Sequence, residues 1–447
     1  MYLCPRNISM IEMNLQRHAV TFIVLALFAM TMTPMVAQNL NTSNLTSSPY
    51  NRYGYGRLGS MGNAVTRSMG DVGIAIRSNQ YTILANPASL TAIDTLTMIF
   101  SVGLDAQYGM YTENGANSSK WDAGFSYMSF QMPLWRNFAM SLSFTPYSMV
   151  GYYYGTSDSV AIHSATIRHD TLTYSSLHQG LGGVNNFMLG LGWRAFHNKR
   201  VDMNVGVNAG WLFGTIEHDG SLSTSSQATS THLSYEASVR GLLLQFGAHY
   251  TQRFMANHSI TLGATFSPRL NLSVDTETLK YSADTISRND RYRSAVKLPM
   301  KWGVGASYNI ARKLTVTAEY EKTMWNDVSG LNPEFQAEEG VFNTTHRVAA
   351  GVEYQPKVLT NRYFKICRYR AGLSAKSNYL RVNGSSLREY NGTLGMSMPI
   401  NRRSALDLGV GYSTVRPKNG NMVKENYITI NIGLTFNEMM FFRGRLR

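Results

Sequence analysis

The chain has 447 residues, with 41 Lys and Arg against 27 Asp and Glu for a formal net charge of +14, and only 15% of its residues are charged. Soluble proteins carry about 25%, yet the mean hydropathy of −0.19 is slightly hydrophilic; a charge-poor chain that is not apolar on average suits strands alternating polar and apolar residues, as in a transmembrane β-barrel. There are 2 cysteines, and Cys4 lies in the leader, ahead of its apolar run, so cysteine metal sites and a disulfide in the mature chain are excluded.

Taken in chain order, Arg17 and His18 precede an apolar run from Ala19 to about Met32 and small residues around Ala37. This is the pattern of a secretory signal peptide over residues 1–37. The run is shorter than the ~20 residues a spanning helix needs, and Cys4 is misplaced for a lipoprotein acceptor.

Residues 38–96 are glycine-laced, and "GYGRLG" (54–59) spells G-x-G-x-x-G. A dinucleotide site demands a buried strand before that motif and a helix after it, and "TSSPYNRY" is no buried strand. The stretch reads instead as an N-terminal plug inside a barrel lumen, where glycines allow tight coiling and positive φ. Arg52, Arg57, Arg67, Asp71, Arg77 and Asp94 are expected to pair with polar lumen walls.

From residue 97 strands recur. "TMIFSVGLDAQYG" places Met98, Phe100, Val102, Leu104 and Ala106 on one face, a period of two over the length of a tilted spanning strand. About fourteen such segments run to Phe436, predicting an all-β fold, a transmembrane antiparallel barrel over residues 97–436. Connections alternate between long ones, at 155–184, 217–236, 275–297 and 326–345, and short ones such as "HNKR" and "ARK". Long extracellular loops and short periplasmic turns give this rhythm.

Short connections then gather Arg136, Lys199, Arg200, Arg312, Lys313, Arg402 and Arg403 on a periplasmic basic rim, joined by Arg443, Arg445 and Arg447 of a basic tail at 437–447. Such a ring faces phospholipid headgroups or an acidic periplasmic partner rather than nucleic acid. Prolines inside strands carry a further signal. Pro146 removes a ladder hydrogen bond from a closed barrel, so its strand bulges, kinks or opens there, or ends early above the membrane; Pro268 poses the same alternatives.

Walker, HExxH, GxSxG and EF-hand patterns are absent, and His258 beside Ser259 lies at a turn without an evident partner. No enzyme, cofactor or metal site is expected.

"LANPASL" (84–90) resembles the N-P-A signature that follows the N-terminal segment of the FadL-like long-chain fatty-acid transporter superfamily of outer-membrane barrels, and "SPYNRYGYG" resembles the start of one branch of it. The resemblance implies a hatch inside the barrel that includes Tyr53, Gly54, Gly56, Asn86, Pro87 and Ala88. It also implies a lateral gate at a kinked third strand, which "TPYSMVGY" would supply through Pro146 and Tyr147.

Two functions follow as expectations. The first is a monomeric barrel of the Gram-negative outer membrane, in contact with lipids, that binds or transports hydrophobic, fatty-acid-like molecules through a plug and a lateral opening. The alternative is an accessory or scaffold barrel that stays shut within a complex for outer-membrane protein assembly or secretion, with other outer-membrane or periplasmic proteins as partners.

Overall fold

The computed structural model describes residues 48–439, apart from 163–169, 225–226, 255–256, 283–284, 312, 327, 329–341, 357–362, 383, 402 and 419–421. The leader at 1–37, residues 38–47, Arg312, Arg402 and the tail residues Arg443, Arg445 and Arg447 lie outside the described residues.

The strands in chain order are β1 (Arg57–Leu58), β2 (Thr97–Glu113), β3 (Ala116–Trp135), β4 (Phe138–Met149), β5 (Tyr152–Ile162), β6 (Asp170–His197), β7 (Val201–Thr224) and β8 (Gln227–Phe254). They continue with β9 (His258–Ser267), β10 (Asn271–Ser282), β11 (Thr285–Lys297), β12 (Met300–Ile310), β13 (Leu314–Met324) and β14 (Thr345–Tyr354). The last are β15 (Arg368–Val382), β16 (Ser385–Pro399), β17 (Ala405–Pro417) and β18 (Lys424–Met439). β4 and β5 follow one another along β6, β9 and β10 along β8, and β12 and β11 along β9 and β10, so each pair is one interrupted stave. The result is a closed antiparallel barrel of 14 staves, as the alternation predicts. Closure runs from Lys424↔Thr112 to Met439↔Thr97 between β18 and β2.

Period-two patterning explains the wall. On β6 the side chains of Phe187, Leu189, Leu191 and Trp193 are exposed while Asn186 and Met188 between them are buried, and on β18 Ile428, Ile430 and Ile432 alternate outward with buried Asn431. An exposed apolar belt of this extent fits lipid, not water. Aromatic pairs mark its borders: Phe138–Trp193 at 6.2 Å near the short turns and Tyr108–Trp121 at 4.9 Å toward the other end.

Three connections expected as long loops are mostly strand. β5 and β6 pair out to Ile162↔Asp170, β7 and β8 to Thr224↔Gln227, and β10 and β11 to Ser282↔Thr285. Beyond the apolar belt both faces of a strand meet water, so Ser/Thr-rich strands lose the apolar alternation that identifies them. "TENGANSSK" is likewise a hairpin, turning at Asn114 (φ 48°) and Gly115 (φ 85°), the two positive φ values such a turn requires. At the C-terminus, β18 runs three residues past Phe436, with Asn437, Glu438 and Met439 paired to Ile99, Met98 and Thr97. At Pro268 the stave breaks between β9 and β10.

Candidate functional site

The N-terminal segment packs against the inward face of the wall, beginning with Asn86-Pro87-Ala88. Asn86 Oδ1 accepts from the Ala88 amide at 3.0 Å and its Nδ2 donates to the Ile74 carbonyl at 2.7 Å. Pro87 opens the 3₁₀ turn Pro87–Ala92, a position where its missing N–H costs nothing. The turn rests on Gly192, Gly206 and Gly247, which are cross-strand neighbours on β6, β7 and β8. A Cβ on Gly206 would sit 2.6 Å from the Pro87 carbonyl carbon, one on Gly192 3.0 Å from its oxygen, and one on Gly247 inside Asn86 Oδ1. A second pair, Gly351↔Gly372 across β14 and β15, receives Met69 and Gly70 in the same way. These glycines are wall positions that bring two backbones into contact.

Polar wall side chains satisfy many of the segment's backbone groups, which outside β1 join no strand among the described residues. Buried Glu319 on β13 accepts through Oε1 from the amides of Gly73 (2.8 Å), Ile74 (2.5 Å) and Ala75 (3.3 Å). Arg347 donates to the carbonyls of Gly70 (3.0 Å) and Asp71, Gln245 to Ala85 (2.8 Å) and Gln131 to Leu90 (2.8 Å).

Of the charged residues expected to pair with the wall, Arg67 meets Asp105, Arg77 meets Asp202 at 3.4 Å and Asp71 meets Arg347 at 3.9 Å. Arg57 donates to Gln107 and Arg52 to the Tyr154 hydroxyl at 2.9 Å. Asp94 does otherwise: it accepts from Asn79 of its own segment at 3.2 Å. Burial lowers the Arg77 guanidinium to about 10 while Asp202 opposes the fall, so it stays charged at neutral pH.

Tyr53 ends the 3₁₀ turn Pro49–Arg52, and Gly54 (φ +68°) and Gly56 (φ +73°) take conformations that L side chains avoid. Tyr379 donates to the Gly56 carbonyl at 2.5 Å, packs at a tilt on Trp325 (4.6 Å) and stacks with Phe342 (5.8 Å), an aromatic cluster that also holds Tyr55.

The wall is interrupted at the third stave. β3 and β4 pair only from Trp135↔Phe138 to Met128↔Phe144. Beyond that point β4 carries Pro146, its register with β6 slips between Pro146 and Ser148, and the strand ends at Met149. Its freed edge is taken by β1 instead: Arg57↔Met149 and Leu58↔Ser148, extended by Gly59 N–H to half-buried Tyr147 O at 2.8 Å. A Cβ on Gly59 would collide with the Pro146 carbonyl. Pro146 and Tyr147 therefore stand where the ladder opens.

A chamber of about 370 Å³ lies behind this interruption. Phe125 and Ser126 of β3 and Pro146 and Tyr147 of β4 form its two lips, and both charged residues (Arg57, Arg67, Asp71, Lys301, Glu319, Arg347, Glu425) and apolar ones (Leu58, Met61, Leu243, Leu298, Trp325) line its depth.

The rim residues Arg136, Lys199, Arg200, Lys313 and Arg403 are exposed in the short connections. Sequence reasoning missed the wall glycines, Glu319 and Arg347. Glycines recurring at inward positions of otherwise apolar-alternating strands were the available signal; nothing local distinguishes Glu319 from other strand carboxylates.

A closed 14-stave barrel with an interrupted third stave and an N-terminal segment against its inner face has the fold of the FadL-like outer-membrane barrels. The Pseudomonas putida toluene transporter TodX is 13% identical with a TM-score of 0.50, the match covering 86% of this chain and 99% of that one. A Pseudomonas aeruginosa FadL homologue is 12% identical at 0.52, covering 86% and 98%, and the monoaromatic hydrocarbon channel CymD 13% identical at 0.51, covering 86% and 99%. Within that fold class the sequence matches the BamG family model over residues 20–446, and the chain belongs to the BamG family. No curated protein matches it.

Proposed function

We propose that this protein is a closed accessory barrel of an outer-membrane protein assembly complex, its N-terminal segment serving as a plug. The observation that carries this reading is the interior: the segment is bonded to the wall from Gln131 and Asn86 at one end to Tyr379 at the other, and charged side chains stand among the apolar ones that line the chamber behind the wall interruption. Membership of the BamG family favours the same reading. The exposed rim of Arg136, Lys199, Arg200, Lys313 and Arg403 then serves as a docking surface for an acidic periplasmic partner.

A second reading, passage of hydrophobic, fatty-acid-like molecules sideways through the wall, is favoured by the interruption at Pro146 and by its apolar lips Phe125 and Pro146. Purification in mild detergent separates the two. Stoichiometric protein partners support the accessory barrel; a monomer carrying co-purified lipid and no partner sinks it in favour of passage.

A further inference from the structure

We infer that the inward-facing arginines around Asp202, at the short-turn mouth of the barrel, bind carboxylates of an acidic segment of a periplasmic protein; the inference rests on the accessory reading and puts the docking point at this mouth, not evenly round the rim. Asp202, the second residue of β7, has a side chain 2% exposed. Arg77 of the N-terminal segment meets its Oδ2 at 3.4 Å and Arg253 of β8 at 3.2 Å, while Arg194 of β6 approaches its Oδ1 at 3.9 Å. Among the described residues Asp202 is the one carboxylate paired with any of these three arginines, and Arg194 Nε has no hydrogen-bond acceptor. Burial lowers the Arg77 guanidinium, Asp202 opposes the fall, and Arg194 and Arg253 add to it.

A second ionic cluster at the same end of the wall shows a self-contained arrangement. Arg370, 1% exposed, lies between Glu353 at 2.7 Å and Asp407 at 3.5 Å, so its charge is answered within the protein. At Asp202 three guanidinium charges face one carboxylate, and Arg194 and Arg253 keep 24% and 40% of their side-chain surface open. Charge taken from water without a counterpart is costly, and an anion entering the mouth supplies it. Holding the N-terminal segment accounts for Arg77 and Arg194, which also donate to the Thr91 hydroxyl (3.2 Å) and the Thr91 carbonyl. It does not account for Arg253, whose hydrogen bonds go to the wall, at the Asn198 carbonyl (3.3 Å) and Asp202.

The ligand's chemistry follows from what adjoins the cluster. The Arg194 N–H donates to the Asn137 carbonyl at 2.8 Å and the Arg253 N–H to the Arg200 carbonyl at 2.7 Å, which ties β6 to the β3–β4 turn and β8 to the β6–β7 turn. Those two turns carry exposed Arg136, Lys199 and Arg200, so positive charge continues outward from the arginines at Asp202. Cations spread over two turns suit several carboxylates along one chain better than a single small anion, and guanidinium forks pair with carboxylates in a bidentate manner. Direction argues against a lipid headgroup: Trp193, Phe196 and Met203 of the same strands are exposed toward lipid, whereas Arg194 and Asp202 point into the lumen.

The test uses the full-length chain purified in detergent and a labelled oligoglutamate peptide followed by fluorescence anisotropy. The R194Q/R253Q form is expected to bind the peptide about tenfold more weakly than the unaltered chain. Arg403→Gln, exposed in the β16–β17 turn, is expected to bind it as before. Asp202→Asn enlarges the positive surplus and should tighten binding, whereas a merely structural cluster would give weaker binding together with a lower unfolding temperature. Equal losses from R194Q/R253Q and Arg403→Gln, weaker binding by Asp202→Asn, or no binding by the unaltered chain overturns the inference. Displacement of the peptide by an equal concentration of inorganic phosphate, or of phosphatidylglycerol in the micelles, overturns it too, in favour of a free anion or a lipid headgroup. If protein partners co-purify with R194Q/R253Q in the same stoichiometric amounts as with the unaltered chain, docking here fails and the accessory reading stands; if none co-purifies with either, both fall.

Discussion

The two flanks of the first hairpin differ in how they are sealed. On one side β2 meets β18 in an unbroken register from Thr97 to Thr112. On the other, β3 meets β4 over its last eight residues, and the pairing with β4 goes no further. Both flanks have the same outward apolar pattern, so hydrophobic patterning does not decide closure. Backbone continuity does: β18 has no proline and no register slip against β2, whereas the third stave carries Pro146, a slip beside it and a break at 150–151. The ladder to β3 stops at Phe144, two residues before Pro146, and an internal segment takes the vacated pairing on β4.

The largest expected effect tests whether that segment seals the barrel. Deleting residues 47–94 removes every bond from Glu319, Arg347, Gln245 and Gln131 to its backbone, and should convert a silent protein into a conducting one in planar bilayers; an unchanged trace sinks the plug.

Next in size are the glycine seats. Gly206→Val and Gly372→Val place side chains against the backbones of Pro87 and Met69–Gly70, and overpacking of this kind costs about 1–3 kcal/mol. Lower unfolding temperatures with intact secretion are expected, and Gly220→Val, where a Cβ finds its nearest neighbour at 3.5 Å, should be silent.

Glu319→Ala leaves three amides without their acceptor, a loss of about 1–3 kcal/mol. Glu319→Gln retains an accepting oxygen and should be milder in the same unfolding assay. Equal effects of the two would mean that carboxylate charge, not acceptance, matters.

The smallest effect sharpens the comparison of the two flanks directly. Pro146→Val restores a donor to the third stave and should change stability by less than about 1 kcal/mol. If passage through the wall is the function, uptake of apolar substrates should fall; unaffected uptake argues against a lateral gate there.

Much of the barrel was legible in the sequence because lipid outside and polar groups inside impose a period of two that each strand reports by itself. "LANPASL" and Pro146 were legible for a related reason: a proline and a capping asparagine constrain backbone locally, whatever surrounds them. The tall hairpins were not, because Ser and Thr strands in water on both faces carry no alternation. The partners of Arg67 and Arg77 were also beyond reach, since Asp105 and Asp202 lie 38 and 125 residues away and look like any strand carboxylates. Sequence alone thus determined a membrane barrel with fourteen staves, a weak third one, and a segment too irregular to belong to the wall. Tertiary structure decided that β1 pairs with β4 in place of β3, that glycines of separate strands align into seats, and that charged side chains from several strands meet in the chamber behind the interruption. Each of these depends on which residues register places side by side, and register is a property of the closed barrel, not of any one strand.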